Sequence, residues 1–274
     1  MARPRWQTVV GALAFMALGG LLTYVAMPKV GVPEAPSGRS ATAAPAARVP
    51  GDVLDLTNWK LTLPVGDEPD EADEVEQPAL AGFQLAPFFR VDSTGKGVAF
   101  RANVGGATTS GSGYPRSELR EMTDGGSEEA SWSNETGDHL MTMTAAITAT
   151  PKLKPEVSVA QIHGGDDVLA MVRLEKDRLF VERDGEDVGE LDGNYRLGSK
   201  FTLRLRATPA GVRVVYNGSK VIEYDEVGDE NYFKAGCYTQ ASDKPQEDDR
   251  PDQRYDRPDA FGEVVIYALD VRHS

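Results

Sequence analysis

Residues 201–224 read FTLRLRATPAGVRVVYNGSKVIEY, with apolar and polar side chains alternating almost one for one. Only Pro209-Ala210-Gly211 and Asn217-Gly218 break the alternation. A side-chain period of two belongs to a half-buried strand, and short breaks of this composition are hairpin turns. The same pattern recurs after residue 51 in WKLTLP, VAFRANV, SELREM, HLMTMTAAIT, VSVAQIH, DVLAMVRLEKDRLFVER, YFKAGCYTQ and GEVVIYALDVR. Turn-forming segments such as DGGS, HGGDD, RDGED and LDGNY separate them. No helical periodicity of any length and no internal repeat interrupts the series. The expectation is an all-β fold, a jelly-roll β-sandwich of two antiparallel sheets.

The first fifty residues follow a different logic. Arg3 and Arg5 precede an uncharged apolar run from Val9 to Met27. A basic flank before such a run begins an export signal, and this run approaches the length that spans a bilayer. Residues 1–27 are therefore expected to be a signal peptide or a retained N-terminal membrane anchor, and both readings stay open. Either one puts the remainder outside the cytoplasm, secreted or anchored to the outer face of the cytoplasmic membrane. Residues 28–50 are rich in Pro and Ala and read as a flexible linker. The folded domain is expected at 51–274.

Cys237 is the single cysteine, so no intramolecular disulfide can form. His139, His163 and His273 show no metal-ligand spacing, and no metal site is expected. Beyond residue 50 the chain holds 24 basic and 42 acidic residues, a net charge of −18. That balance argues against nucleic acid or an anionic membrane surface as partner for the domain. Much of the acidity lies in residues 66–78 and 243–259, which carry no EF-hand spacing, so whether these loops bind calcium is left open. Arg116, Arg120 and Lys234 lie outside both segments.

Three segments place unusual side chains on one strand face. In GYPRSELREM (113–122), Arg116, Glu118 and Arg120 share a face, while Ser117, Leu119 and Glu121 take the other. In VSVAQIH, Gln161 and His163 share a face. In YFKAGCYTQ (232–240), Tyr232, Lys234, Gly236, Tyr238 and Gln240 share one, opposite Phe233, Ala235, Cys237 and Thr239. If the three strands are neighbours, they line a groove suited to a carboxylate-bearing ligand. Arginine offers a fork to a carboxylate, glutamine an amide donor, and histidine and tyrosine a route for protons. Gly236 would leave room for the ligand to approach the backbone. Each row alone equally describes a solvated sheet face or cross-strand packing.

Taken in order and spacing, RSELRE at 116–121, QIH at 161–163 and YFKAGCYTQ at 232–240 resemble the signature segments of polysaccharide lyase family 7, the alginate lyases. LDLTNWKLTLPVG at 54–66 and GEVVIYALDV near the end also resemble that family, so the likeness spans residues 51–274. Cys237 stands where the family usually has a branched aliphatic residue, and Thr239 where it often has Asn. The resemblance implies a cofactor-free enzyme that cleaves anionic 1,4-linked uronate chains by β-elimination, leaving unsaturated uronate ends. It implies that Arg116 and Gln161, assisted by His163, grip the reacting carboxylate, and that Tyr238 is the general acid. It implies that Tyr238 or His163 is the base, depending on the sugar. Glu118, Arg120, Tyr232, Lys234 and Gln240 would hold the substrate, with Glu118 orienting Arg116 or Arg120. Through the same resemblance, the isoleucine of QIH implies a lean towards guluronate-containing substrate, and a monomer is expected. The competing readings are a lyase on another polyuronate such as glucuronan, and a carbohydrate-binding sandwich without catalysis. A glycoside hydrolase needs a second carboxylate across the groove, and the three rows hold only Glu118.

Overall fold

Two antiparallel sheets are formed by strands numbered here along the chain. The first has the order β11 (Glu186–Asp192), β10 (Arg178–Arg183), β9 (Val168–Glu175), β8 (Glu156–His163), β15 (Tyr232–Thr239), β5 (Arg116–Thr123), β1 (Trp59–Thr62) and β2 (Glu74–Val75). β6 (Glu128–Glu129) pairs with the end of β5. The second has the order β14 (Lys220–Tyr224), β13 (Gly211–Tyr216), β12 (Phe201–Thr208), β7 (His139–Ala149), β16 (Phe261–His273), β4 (Val98–Asn103) and β3 (Phe89–Val91). This computed structural model describes residues 48–165, 167–246 and 252–274. The expected signal or anchor at 1–27 and nearly all of the linker lie outside the described residues.

The alternation of residues 201–224 is converted directly into two hairpins. Phe201, Leu203, Leu205 and Ala207 of β12 are buried, whereas Thr202, Arg204 and Arg206 are exposed. β12 pairs with β13, and β13 with β14, across the two expected turns. Between the sheets lie Phe89, Phe100, Leu119, Met141, Met143, Ile147, Ile162 and Phe233, all fully buried. Burying side chains of this size stabilises the fold by about 1.5–3 kcal/mol each. Arg48 already belongs to the fold, donating to the carbonyls of Gly95 (2.7 Å) and Asp52 (2.8 Å), so packing begins slightly before the expected boundary.

The inward face of β5 carries an acid. Glu121 is buried and accepts hydrogen bonds from Trp132 Nε1 (3.0 Å), the Phe233 backbone N–H (2.8 Å) and His273 Nε2 (2.6 Å). These donors meet the desolvation cost that would otherwise forbid a carboxylate there. Cys237 is inward and buried as expected, and burial pushes its thiol pKa up, which makes it a poor nucleophile. β2, β3, β6 and β11 were not expected as strands. β11 in particular connects the RDGED and LDGNY segments and contains Gly189, a composition that reads as turn.

Candidate active site

Strand register turns the three polar rows into one surface. Across β15 and β5, Tyr238 faces Arg116, Gly236 faces Glu118, and Lys234 faces Arg120. Across β15 and β8, Lys234 faces Gln161 and Tyr232 faces His163. Directly opposed residues share a face, with Cβ atoms about 4.5–5.5 Å apart. Arg116, Arg120, His163, Tyr232 and Lys234 line a groove of about 330 Å³ on this surface, together with Lys60, Thr62, Glu74, Thr109, Gly111 and Glu129.

Glu118 lies beneath the groove, fully buried. It receives Lys234 Nζ at 2.8 Å, Gln161 Nε2 at 2.6 Å and, more loosely, Arg116 Nη1 at 3.5 Å. Burial opposes its charge, but the Lys234 and Arg116 cations and the two short hydrogen bonds outweigh that, so its pKa is lowered. The Lys234 pKa is also lowered, because burial and the repulsion of Arg116 and Arg120 exceed the attraction of Glu118. Glu118 is therefore a support for other side chains and does not itself reach a ligand, which corrects the expectation that it holds substrate. Its partners are Arg116 and Lys234; Arg120 instead donates to the Glu121 carbonyl (2.7 Å) and pairs with Glu129 (3.1 Å).

His163 Nδ1 lies 2.6 Å from the Gly164 carbonyl oxygen. A carbonyl can only accept, so Nδ1 carries the proton and the neutral ring keeps its lone pair on Nε2. Burial lowers the pKa, and the nearby Lys234 and Arg116 cations add to it, against the Gly164 bond and Glu118. The ring is thereby favoured in its neutral form, with Nε2 free to accept a hydrogen bond. Tyr232 stacks on it with ring centroids 5.2 Å apart and planes 17° from parallel. The Arg120 guanidinium lies 4.0 Å from the same Tyr232 ring, so Tyr232 positions both groups.

The Arg116 guanidinium sits 3.9 Å over the Tyr238 ring. Its Nε is buried without a hydrogen-bond partner among the described residues, so Glu118 leaves the donor fork unsaturated. Tyr238 Oη lies 2.7 Å from Ser112 Oγ, which also accepts the Tyr114 backbone N–H at 3.1 Å. Gln161 and Tyr238 share this sheet face through the strand register but do not line the groove of about 330 Å³ itself, and neither does Gln240. Gln240 lies past the end of β15, and its amide donates to the Thr239 carbonyl at 3.3 Å.

Gly236 serves a different purpose from the one expected. Its φ is +156°, and a Cβ there would lie 2.5 Å from Ser117 O and 2.7 Å from Glu118 Cα. The missing side chain lets β15 close against β5; it does not make room for a ligand. The pairing of β15 with β8 shifts register between Ala235 and Tyr238, beside this glycine. Sequence reasoning missed Lys60, Ser112 and Glu129. Lys60 had a readable signal, a cation between Trp59 and Leu61 in an apolar strand, whereas Ser112 sits in a loop and Glu129 in a two-residue strand with no periodicity to read.

A jelly-roll sandwich that presents guanidinium, ammonium, amide, imidazole and phenol groups on one sheet face defines the class, a polysaccharide lyase. The family model described as alginate lyase matches residues 54–273, and the chain belongs to that family. An alginate lyase of polysaccharide lyase family 7, AlgAT5, is 45% identical with a TM-score of 0.77, covering 83% of this chain and 100% of its own. The alginate lyase from Corynebacterium sp. is 42% identical with a TM-score of 0.74, covering 83% and 99%. A variant of alginate lyase A1-II′ in complex with substrate GGMG is 27% identical with a TM-score of 0.68, covering 84% and 98%.

Proposed function

We propose that the protein cleaves alginate by β-elimination, with Arg116, Gln161, His163 and Tyr238 carrying the chemistry. The observation that supports this most is the convergence of Arg116, His163 and Tyr238 on one sheet face, with the imidazole lone pair left on Nε2. The C5 proton of a uronate lies beside a carboxylate and is a very weak acid. Cations and amide donors on that carboxylate stabilise the aci-enolate formed as the proton leaves. Arg116 supplies the cation; one Gln161 Nε2 hydrogen is committed to Glu118 and the other remains for the sugar. The electron pair from C5 then expels the glycosidic oxygen at C4, which takes a proton from Tyr238 Oη. The product carries a C4–C5 double bond, and no water is consumed.

The base follows from stereochemistry. Where the C5 hydrogen and the leaving oxygen share one side, as in mannuronate, Tyr238 serves as base and acid in turn. Where they lie on opposite sides, as in guluronate, His163 Nε2 takes the proton. Ile162 of the QIH segment is fully buried, so its lean towards guluronate would operate through packing beneath His163. The domain is assigned outside the cytoplasm on the strength of the basic-then-apolar segment at 1–27.

The test is the ultraviolet absorbance of unsaturated uronate on mixing the protein with alginate, polymannuronate, polyguluronate or glucuronan. A rise with alginate, faster on polyguluronate than on polymannuronate, is expected. A rise with glucuronan alone would move the substrate, and no rise with any of the four would overturn the reading.

A further inference from the structure

The Glu129 carboxylate bridges two cations at one end of the groove. Its Oε1 lies 2.9 Å from Lys60 Nζ and its Oε2 lies 3.1 Å from Arg120 Nη2. Lys60 and Arg120 face each other across β1 and β5, and Arg120 faces Lys234 across β15, so three cations cross the sheet in one row. The cations belong to the groove floor: the side chains of Lys60 and Arg120 are 10% and 13% exposed. Glu129 lies above them with 58% of its side chain exposed. It closes β6, a two-residue strand whose pairing is with the end of β5.

We propose that Lys60 and Arg120 form a seat for a uronate carboxylate of the substrate chain, and that Glu129 is a tethered competitor which holds the seat until the chain displaces it. This rests on the reading of the protein as a polyuronate lyase. The fit of the seat to a carboxylate is visible in the one it already holds, with one oxygen on each cation. Exchange conserves both ion pairs, because a substrate carboxylate replaces Glu129 on the same donors while Glu129 returns to water. Lys60 does not lose all compensation during the exchange. Glu74 also holds it at 2.8 Å and is itself steadied by Thr62 Oγ1 at 3.2 Å. Glu74 is the standing counter-ion and Glu129 the exchangeable one.

The arrangement selects for charge. A neutral polysaccharide offers nothing that displaces Glu129, and a short oligouronate uses the seat while being cleaved only if it also reaches Tyr238. After cleavage, Glu129 competes for the seat again and assists release of product.

The proposal is tested by calorimetric titration of saturated alginate oligosaccharides into the Tyr238→Phe protein at low ionic strength, where binding is read without turnover. Adding Glu129→Gln keeps the shape and removes the competitor, and Kd should fall about two- to fivefold, the size of a partly exposed ion pair. Adding Lys60→Met should raise Kd by a similar factor, and the gain from Glu129→Gln should shrink in that background, where only Arg120 is left to compete for. An unchanged or raised Kd for Glu129→Gln, an equal gain with and without Lys60, or no binding by the parent would each overturn the seat. Melting temperatures within a few degrees of the parent verify folding, and Lys60→Gln replaces Lys60→Met if the latter melts lower. The lyase reading fails separately, when the unmodified protein produces no unsaturated ends from any polyuronate.

Discussion

Ser112 Oγ lies 2.7 Å from Tyr238 Oη. The serine oxygen also accepts the Tyr114 N–H, which holds it beside the phenol, and either hydroxyl can donate to the other. On the proposed mechanism, a hydrogen bond at this point would steady Tyr238 as its proton leaves and returns. Ser112→Ala should lower kcat about five- to twentyfold, the equivalent of a single hydrogen bond, with KM nearly unchanged. Ser112→Thr should restore most of the rate, and steady-state kinetics on alginate reads both.

Removing the buried acid should affect stability and rate together. Glu118→Gln leaves the Lys234 ammonium buried without a carboxylate and loosens Arg116. Breaking a buried pair in this way costs about 3–5 kcal/mol, readable as a lower denaturant midpoint. Because the Glu118 pKa is lowered on folding, its contribution is complete above the unfolded carboxylate value of about 4.3 and is lost as pH falls through the folded value. The difference in stability between the parent and the variant should shrink in acid.

The pH profile on polyguluronate should reflect His163. Its pKa is held below the ordinary imidazole value of about 6.5, so Nε2 stays a base somewhat below that pH. The acid limb of kcat/KM should fall below about pH 6.5, and activity should drop as pH falls through the folded pKa. His163→Ala should remove that limb and cost at least about a hundredfold in rate on polyguluronate. Retention of the limb in the variant would point to another base.

Gly236→Ala is expected to damage the site from below. The new methyl would press on Ser117 O and Glu118 Cα, the segment that aims Arg116 and Glu118. Overpacking of this kind costs about 1–3 kcal/mol, and kcat should fall even at temperatures where the variant remains folded. Parallel melting curves and activity measurements separate the two effects.

Long strands with a buried and a solvated face were legible because their period survives any tertiary context. Phe201 to Ala207 illustrates this, and so do the rows at Arg116, Gln161 and Lys234. β2 and β6 were invisible because two acidic or mixed residues acquire strand geometry only from the neighbour they pair with. The partner of Glu118 was left open between Arg116 and Arg120, and Lys234 was missed, because knowing which cations reach it requires knowing which strands are adjacent. Gly236 was read as leaving room for a ligand, when its role is set by the neighbouring backbone, which no period reveals. Sequence alone showed which residues face one way, and only register shows which of them meet.

The central position of β8, β15 and β5 has a further consequence for how the protein fails. Each has a hydrogen-bonded strand on both sides, so none can fray without breaking two ladders. Amide protons in this floor should exchange with solvent only through global unfolding, whereas those around Ser112 and Glu129, on a loop and a peripheral strand, should exchange earlier. Mild denaturant would then loosen proton handling and chain affinity first, and leave the arginine–glutamate–lysine floor intact until the whole sandwich opens.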